Sequence, residues 1–236
     1  INMEKIKTKR ERVKFASDNV AGACPEVLDA IIKANEGDRA PYGDDEISKN
    51  LQDKFSEIFE KEVIVFPTSS GTAANALALS TMTPSFGNIY CHKLSHINVD
   101  ECGAPEFYTG GAKLVNLNGV NGKITAEELN ESISGKGVVH HTQPSSVSIT
   151  QLCETGEAYE LDEIKKISEI AHNHKLNMPP SSPREVSTQK KNASTSFTPE
   201  PDAPPPDVCS VARVGSQGAA CAALVPPSDC AGRALG

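Results

Sequence analysis

VIVFPTSSGTAAN, Val63 to Asn75, opens with four apolar residues and closes on small ones, with a Pro-Thr-Ser-Ser-Gly turn between them. The apolar run has strand length. The segment from Ser70 to Ser80, rich in alanine and leucine, has helix length, so the stretch predicts a short buried strand feeding directly into a helix. At such a turn the N–H groups of the first helical turn have no partner within the helix and point at one spot. Gly71 lets an anion come close, and the Ser70 and Thr72 hydroxyls add donors. Residues 70–72 therefore outline a phosphate cradle, although the same residues also suit an ordinary capped helix start. No Gly-Lys-Ser/Thr follows, so this is not a P-loop, and neither G-x-G-x-x-G nor G-x-S-x-G is present here.

Outward from this turn the same alternation continues. Val27, Leu28, Ile31 and Ile32 form an apolar stripe at helical spacing, ended by Gly37. A second helix is expected from Asp44 to Glu60, with Ile47, Leu51, Phe55, Ile58 and Phe59 on its inner face. Asn88–Cys91, Lys113–Leu117 and Gly137–His141 read as strands, and Thr125–Ile133 and Leu161–His174 as helices. Strands alternating with helices predict an α/β fold with a mostly parallel sheet covered on both faces. After Met178 the pattern stops. Residues 179–236 hold 10 of the 16 prolines, and PEPDAPPPD (Pro199–Asp207) suits neither a helix nor a central strand. The expected organisation is an ordered domain over 1–178 and a mostly disordered tail over 179–236. So abrupt a change of composition reads as a frame change, a splice accident or a chimera.

Composition narrows the function classes. A net charge of −8 argues against a nucleic-acid partner, which needs clustered Lys and Arg. The basic run Lys5–Lys14 is interrupted by Glu11 and reads as a solvated arm. No stretch approaches the roughly 20 apolar residues of a membrane span, and the opening INMEKIKTKRERVKF is charged throughout, so neither an anchor nor a signal peptide is expected. The seven cysteines are scattered, odd in number and free of C-x-x-C pairs, which favours a reducing, cytoplasmic setting over a disulfide framework.

His96, in HKLSHINVDE, follows a strand and falls at the carboxyl edge of the expected sheet, where ligands bind in such folds. An imidazole there can stack on a flat cofactor or move a proton, or simply be a surface residue. His92 and His96 have the i, i+4 spacing of a zinc pair, but no third ligand is evident and the strand assignment of His92 conflicts with a helix, so no metal is expected. His140-His141 reads as a strand end and His172-x-His174 as a helix C-terminus. Ser17-Asp18-Asn19 and Tyr42-Gly43-Asp44-Asp45 read as turns or caps.

Taken in order, FASDN (15–19), PYGDD (41–45), FPTSSGTAANALAL (66–79), SHINVDECGAPE (95–106), QPSSVSITQ (143–151) and ETGEAYELDEIKKISEIAHNHKLNM (154–178) resemble the low-specificity threonine aldolase and β-eliminating lyase family over about residues 13–178. That resemblance implies the large domain of a PLP-dependent (pyridoxal 5′-phosphate) transferase of fold type I, acting on small amino-acid substrates and assembling as a homo-oligomer. It implies that Ser70, Gly71 and Thr72 hold the cofactor phosphate, that His96 stacks on the pyridine ring and takes part in proton transfer, and that Ser17 helps bind the substrate carboxylate. Glu101 and Gln151, in matching motifs, would act only in support of these.

The sequence departs from the family after Met178. Where the family continues with H-x-D-G-A-R, whose aspartate pairs with the ring nitrogen, this chain reads Pro179-Pro-Ser-Ser-Pro-Arg184. The only lysines beyond Lys175 are Lys190 and Lys191, in a polar run with no strand before it, so the Schiff-base lysine is also missing. The expectation is the front part of a lyase that, complete, cleaves a β-hydroxy-α-amino acid such as threonine to glycine and an aldehyde, with this chain inactive by itself. Two alternatives remain: another β-eliminating PLP lyase, or a non-catalytic product that at most joins an intact paralogue.

Overall fold

A computed structural model describes residues 22–59 and 62–178, together with the backbone of 209–213 and 220–224. The element order is α1 (Pro25–Ala34), α2 (Glu46–Phe59), β1 (Ile64–Thr68), α3 (Gly71–Met82), β2 (Gly87–His92), α4 (His96–Val99), α5 (Ala104–Tyr108), β3 (Lys113–Leu117), α6 (Ala126–Ser132), β4 (Gln143–Val147), α7 (Leu161–Asn173), β5 (Cys209–Arg213) and β6 (Ala220–Leu224).

The centre is a parallel sheet in the order β3-β2-β4. Every residue of β2 is buried, as a strand paired on both edges and covered on both faces must be. Its side chains alternate between two cores. Ile89 and Cys91 pack with Leu79, Ile97 and Ala112 on the α3 face. Tyr90 packs with Leu129, Val147, Ile167 and Ala171 on the α6–α7 face. Gly87 opens β2 because nothing larger fits: a Cβ there would lie 2.6 Å from Ser145 Oγ, 2.7 Å from Thr83 Cγ2 and 2.9 Å from the Pro84 carbonyl oxygen. No helix among the described residues is long and apolar enough to cross a membrane.

Several expectations change in detail. The strand expected at Gly137–His141 is a turn, and the third parallel strand lies at Gln143–Val147. Val139 is 92% exposed, while the Gln143 side chain ties the turn down by donating to the carbonyls of Gly135, Val138 and His141 and accepting from the Gly137 N–H. β4 escaped notice because its core positions are hydroxyls. Ser146 is fully buried, its Oγ 2.6 Å from Thr83 Oγ1, and Ser145 Oγ donates to the Gln143 carbonyl.

β1 is likewise not a fully buried strand. Val63 and Val65 pack on Phe55, Leu51 and Phe59 of α2, while Ile64 and Phe66 face outward. It pairs with neither β2 nor β4 but antiparallel with β6, which pairs antiparallel with β5. These two strands fall in the stretch for which little regular structure is expected; both are short and proline-free, CSVAR and ACAAL, and all but Arg213 are small or apolar. The rest of 179–236 lies outside the described residues. The inner face expected for α2 is narrower than its pattern, since Ile47 and Ile58 are exposed. Among the described residues the stripe of α1 packs on no core: Val27, Leu28, Ile31 and Ile32 are all exposed.

Candidate active site

The turn from β1 into α3 builds one half of the site. Ser70, extended at φ −156° and ψ 162°, is the N-cap of α3, and its Oγ accepts from the Ala73 N–H at 3.1 Å. The first bond within the helix runs from the Ala74 N–H to the Ser70 carbonyl, so the amides of Gly71 and Thr72 precede the helical ladder. Both residues are half-buried and Ser70 is exposed. Two such amides, a hydroxyl on Thr72 and the positive end of a twelve-residue helix are groups that could hold a small dianion. The local sequence favours this: β1 runs through Pro67 to Thr68, the Ser-Ser pair follows as a bend with Ser70 as the cap, and the run of alanines propagates a helix.

The other half comes from the chain leaving β2. His96 is the first residue of α4, with Ser95 as its N-cap; neither α4 nor α5 is evident from the sequence pattern. After α4 the chain reverses through Cys102 (φ 53°) and Gly103 (φ 73°), the N-cap of α5. This reversal brings Glu101 back against His96. The Glu101 side chain is fully buried, and its Oε1 lies 2.9 Å from His96 Nδ1 and accepts from Asn75 Nδ2 at 2.6 Å. Asn75 lies one turn into α3, so a continuous chain of hydrogen bonds links the helix that begins at the cradle to His96. The His96 side chain keeps 44% of its surface exposed, and its Nε2 makes no hydrogen bond among the described residues.

Other singled-out residues have structural duties. His92 ends β2 with both ring nitrogens engaged: Nδ1 accepts from the Leu94 N–H, and Nε2–H donates to the Asn118 carbonyl. It has no lone pair left for a metal. Gln151 clamps the backbone of Tyr159, accepting from its N–H at 2.7 Å and donating to its carbonyl at 2.9 Å. Asp45 caps α2 through Ser48, whose N–H and Oγ both donate to the carboxylate, and this holds the Asp45 carboxyl below its usual range. His174 Nε2 pairs with Asn130 Oδ1. Ser17, assigned to the substrate carboxylate, lies outside the described residues.

Between the carboxyl ends of β2 and β4 is a small cleft, partly open to solvent and lined in part by His92, Ser95, Ser148, Thr150, Cys153 and Tyr159. Its walls come from segments far apart in the sequence, which only the fold brings together. Burial pushes the Cys153 thiol up to about 11, so Cys153 is a poor nucleophile here.

Comparison with known proteins gives a consistent picture. The sequence matches the family described as Beta-eliminating lyase over residues 14–181. It is 41% identical over 165 residues to a low specificity L-threonine aldolase of a Pseudomonas species, covering 70% of this chain and 48% of that one. It is 30% identical over 164 residues to a probable low-specificity L-threonine aldolase of Schizosaccharomyces pombe, covering 69% and 43%. The chain thus spans about half the length of these relatives. Among solved structures, threonine aldolase from Leishmania major superposes with a TM-score of 0.73 at 21% identity, covering 88% of this chain and 61% of that one. Tyrosine aminotransferase from Leishmania infantum superposes with a TM-score of 0.58 at 12% identity, covering 87% and 57%. The fold is therefore one that serves more than one reaction.

Proposed function

From the premise that the chain belongs to the beta-eliminating lyase family, we propose that it carries the phosphate-binding and ring-facing half of a PLP-dependent lyase site. We further propose that the complete site cleaves threonine-like β-hydroxy-α-amino acids to glycine and an aldehyde. The observation that carries the reading is the hydrogen-bonded chain Asn75–Glu101–His96, which ties an imidazole with a free Nε2 to the helix whose N-terminus offers unbonded amides.

The residues present fit the cofactor at its phosphate end. The amides of Gly71 and Thr72, with the Thr72 hydroxyl, would hold the phosphate, and the α3 dipole would offset its charge. Ser70 would act mainly by keeping the cradle in shape, since its oxygen already caps the helix. Bound there, PLP would supply an electron sink for the pair released when a bond to the amino-acid α-carbon breaks. His96 would face the ring and accept the substrate's β-hydroxyl proton at Nε2.

The 236-residue sequence has no counterpart after Met178 of the ring-pairing aspartate or the Schiff-base lysine that the resemblance implies. By itself the chain is therefore expected to release no acetaldehyde from threonine above background. Borohydride reduction with excess PLP, followed by peptide mapping, is expected to find no single lysine labelled at high occupancy. One such lysine, together with turnover abolished by His96→Ala, would overturn this half of the proposal.

A second reading is that the chain acts as a non-catalytic subunit beside an intact relative. The uncovered apolar face of α1 favours it. Co-purification with a full-length relative when the two are expressed together would support it, and their separation on a sizing column would count against it.

A further inference from the structure

We propose that Glu101 is a positioning residue that fixes His96 as its Nδ1–H tautomer, leaving Nε2 as a proton acceptor turned to the site. The proposal rests on the reading of His96 given above.

A fully buried carboxyl group is costly, and here its compensation is concentrated on one oxygen. Oε1 meets both Asn75 Nδ2 and His96 Nδ1, while Oε2 is buried with no hydrogen-bond partner among the described residues. Were Glu101 there only to tie α3 to the turn after α4, an uncharged amide could make the same bridge without burying an acid. A carboxylate does one thing an amide cannot: it has no proton to give. Whatever faces its Oε1 must donate. Asn75 meets that demand with its amide N–H. His96 can meet it only by carrying its proton on Nδ1, which forces the lone pair of the neutral ring onto Nε2. The neighbouring His92 shows the opposite arrangement, with Nδ1 accepting from the Leu94 N–H and Nε2 donating. The two imidazoles are thus set in opposite tautomers by the groups that meet their Nδ1 atoms. Only His96 presents a free basic nitrogen.

The backbone supports the same assignment. Cys102 and Gly103 both take positive φ immediately after Glu101, a reversal that turns its carboxyl inward, five residues on from the histidine it meets. The contact therefore depends on a particular fold of the turn rather than on neighbouring positions along a helix.

The test is nitrogen-15 NMR of the histidine-labelled chain without cofactor, at a pH where the ring is neutral, with His96 identified by its loss in His96→Gln. The proton is expected on Nδ1 of His96 and on Nε2 of His92. In Glu101→Ala, His96 is expected to revert to a mixture dominated by Nε2–H, the form free imidazole side chains prefer. Asn75→Ala breaks the same tie between α3 and the turn but leaves the acceptor, so it is expected to keep Nδ1–H. An Nε2–H ring in the unsubstituted chain would overturn the proposal even if Glu101→Ala does not fold. So would reversion in Asn75→Ala as complete as in Glu101→Ala, because the role would then be structural only. Addition of PLP separates this from the broader reading: His96 signals that stay unmoved at saturating PLP would sink the cofactor assignment while leaving the tautomer assignment intact.

Discussion

Single side chains carry most of the chemistry in this chain, and four cysteines show how burial sorts them. Cys91 and Cys153 are buried, and desolvation pushes both thiols up to about 11, whereas Cys24 and Cys102 are exposed. Iodoacetamide at mildly alkaline pH is expected to label Cys24 and Cys102 in the folded chain within minutes and to leave Cys91 and Cys153 unmodified until denaturant is added. Peptide mapping reads the result, and equal labelling of all four would contradict the packing around β2 and Thr150. Residue identity was enough to nominate Ser70, Gly71, Thr72 and His96 as candidates, whose roles stand as proposals. It was not enough to pick out Asn75, whose duty depends on meeting Glu101 across 26 positions, nor to see that Gln151 spends both ends of its amide on Tyr159.

Secondary elements were readable from periodicity wherever an apolar stripe and a cap coincide. Ser70 caps α3 and Thr125 caps α6 through their side chains as the pattern implies, and β3 spans Lys113–Leu117 as expected. The misses have physical causes. β4 hides because two of the three buried positions of Gln-Pro-Ser-Ser-Val are hydroxyls, Ser146 bonded to Thr83 and Ser145 to the Gln143 carbonyl, while the apolar Val138-Val139 pair lies in a turn. α4 and α5 are one turn each, too short for periodicity to register. At β2 the tight start predicts that Gly87→Ala lowers stability by about 1–3 kcal/mol, since the Pro84 carbonyl cannot rotate out of the way as a side chain can. Urea unfolding would measure this, and a loss below about 0.5 kcal/mol would mean that the β2–β4 junction is looser than described.

α7 is anchored at its start by Lys123, whose Nζ lies 2.8 Å from both carboxylate oxygens of Glu163. The bond from Lys123 holds the Glu163 carboxyl below its usual range, and the bond to Glu163 raises Lys123. Stability from the Glu163 shift is present above the ordinary carboxylate pKa and lost as pH falls through the lowered one. Stability from the Lys123 shift is present below the ordinary lysine pKa and lost only as pH rises through the raised one. Because Glu163 is 42% exposed, Lys123→Met should cost under about 1 kcal/mol at neutral pH, and the gap should narrow below about pH 4. A gap that widens on acidification would contradict the pairing.

Over the whole molecule, strand–helix alternation was sufficient to give an α/β fold with a parallel sheet, because each β2 side chain must find a core on one face or the other. The pairing of β1 with β6 was not readable, since it joins residues more than 150 positions apart and sequence periodicity carries no information about partners. Nor does family membership by itself specify which bond of a substrate breaks, because similar folds serve aminotransferases as well as aldolases. What the account commits to is a cofactor site whose phosphate end is intact. The direct test is a PLP binding titration of the purified chain, followed by absorbance and repeated in inorganic phosphate. Saturable binding is expected, competed by phosphate and weakened at least about tenfold by Gly71→Asp, which sets a carboxylate where the phosphate would sit. Failure to saturate, or binding that Gly71→Asp leaves unchanged, would contradict the account.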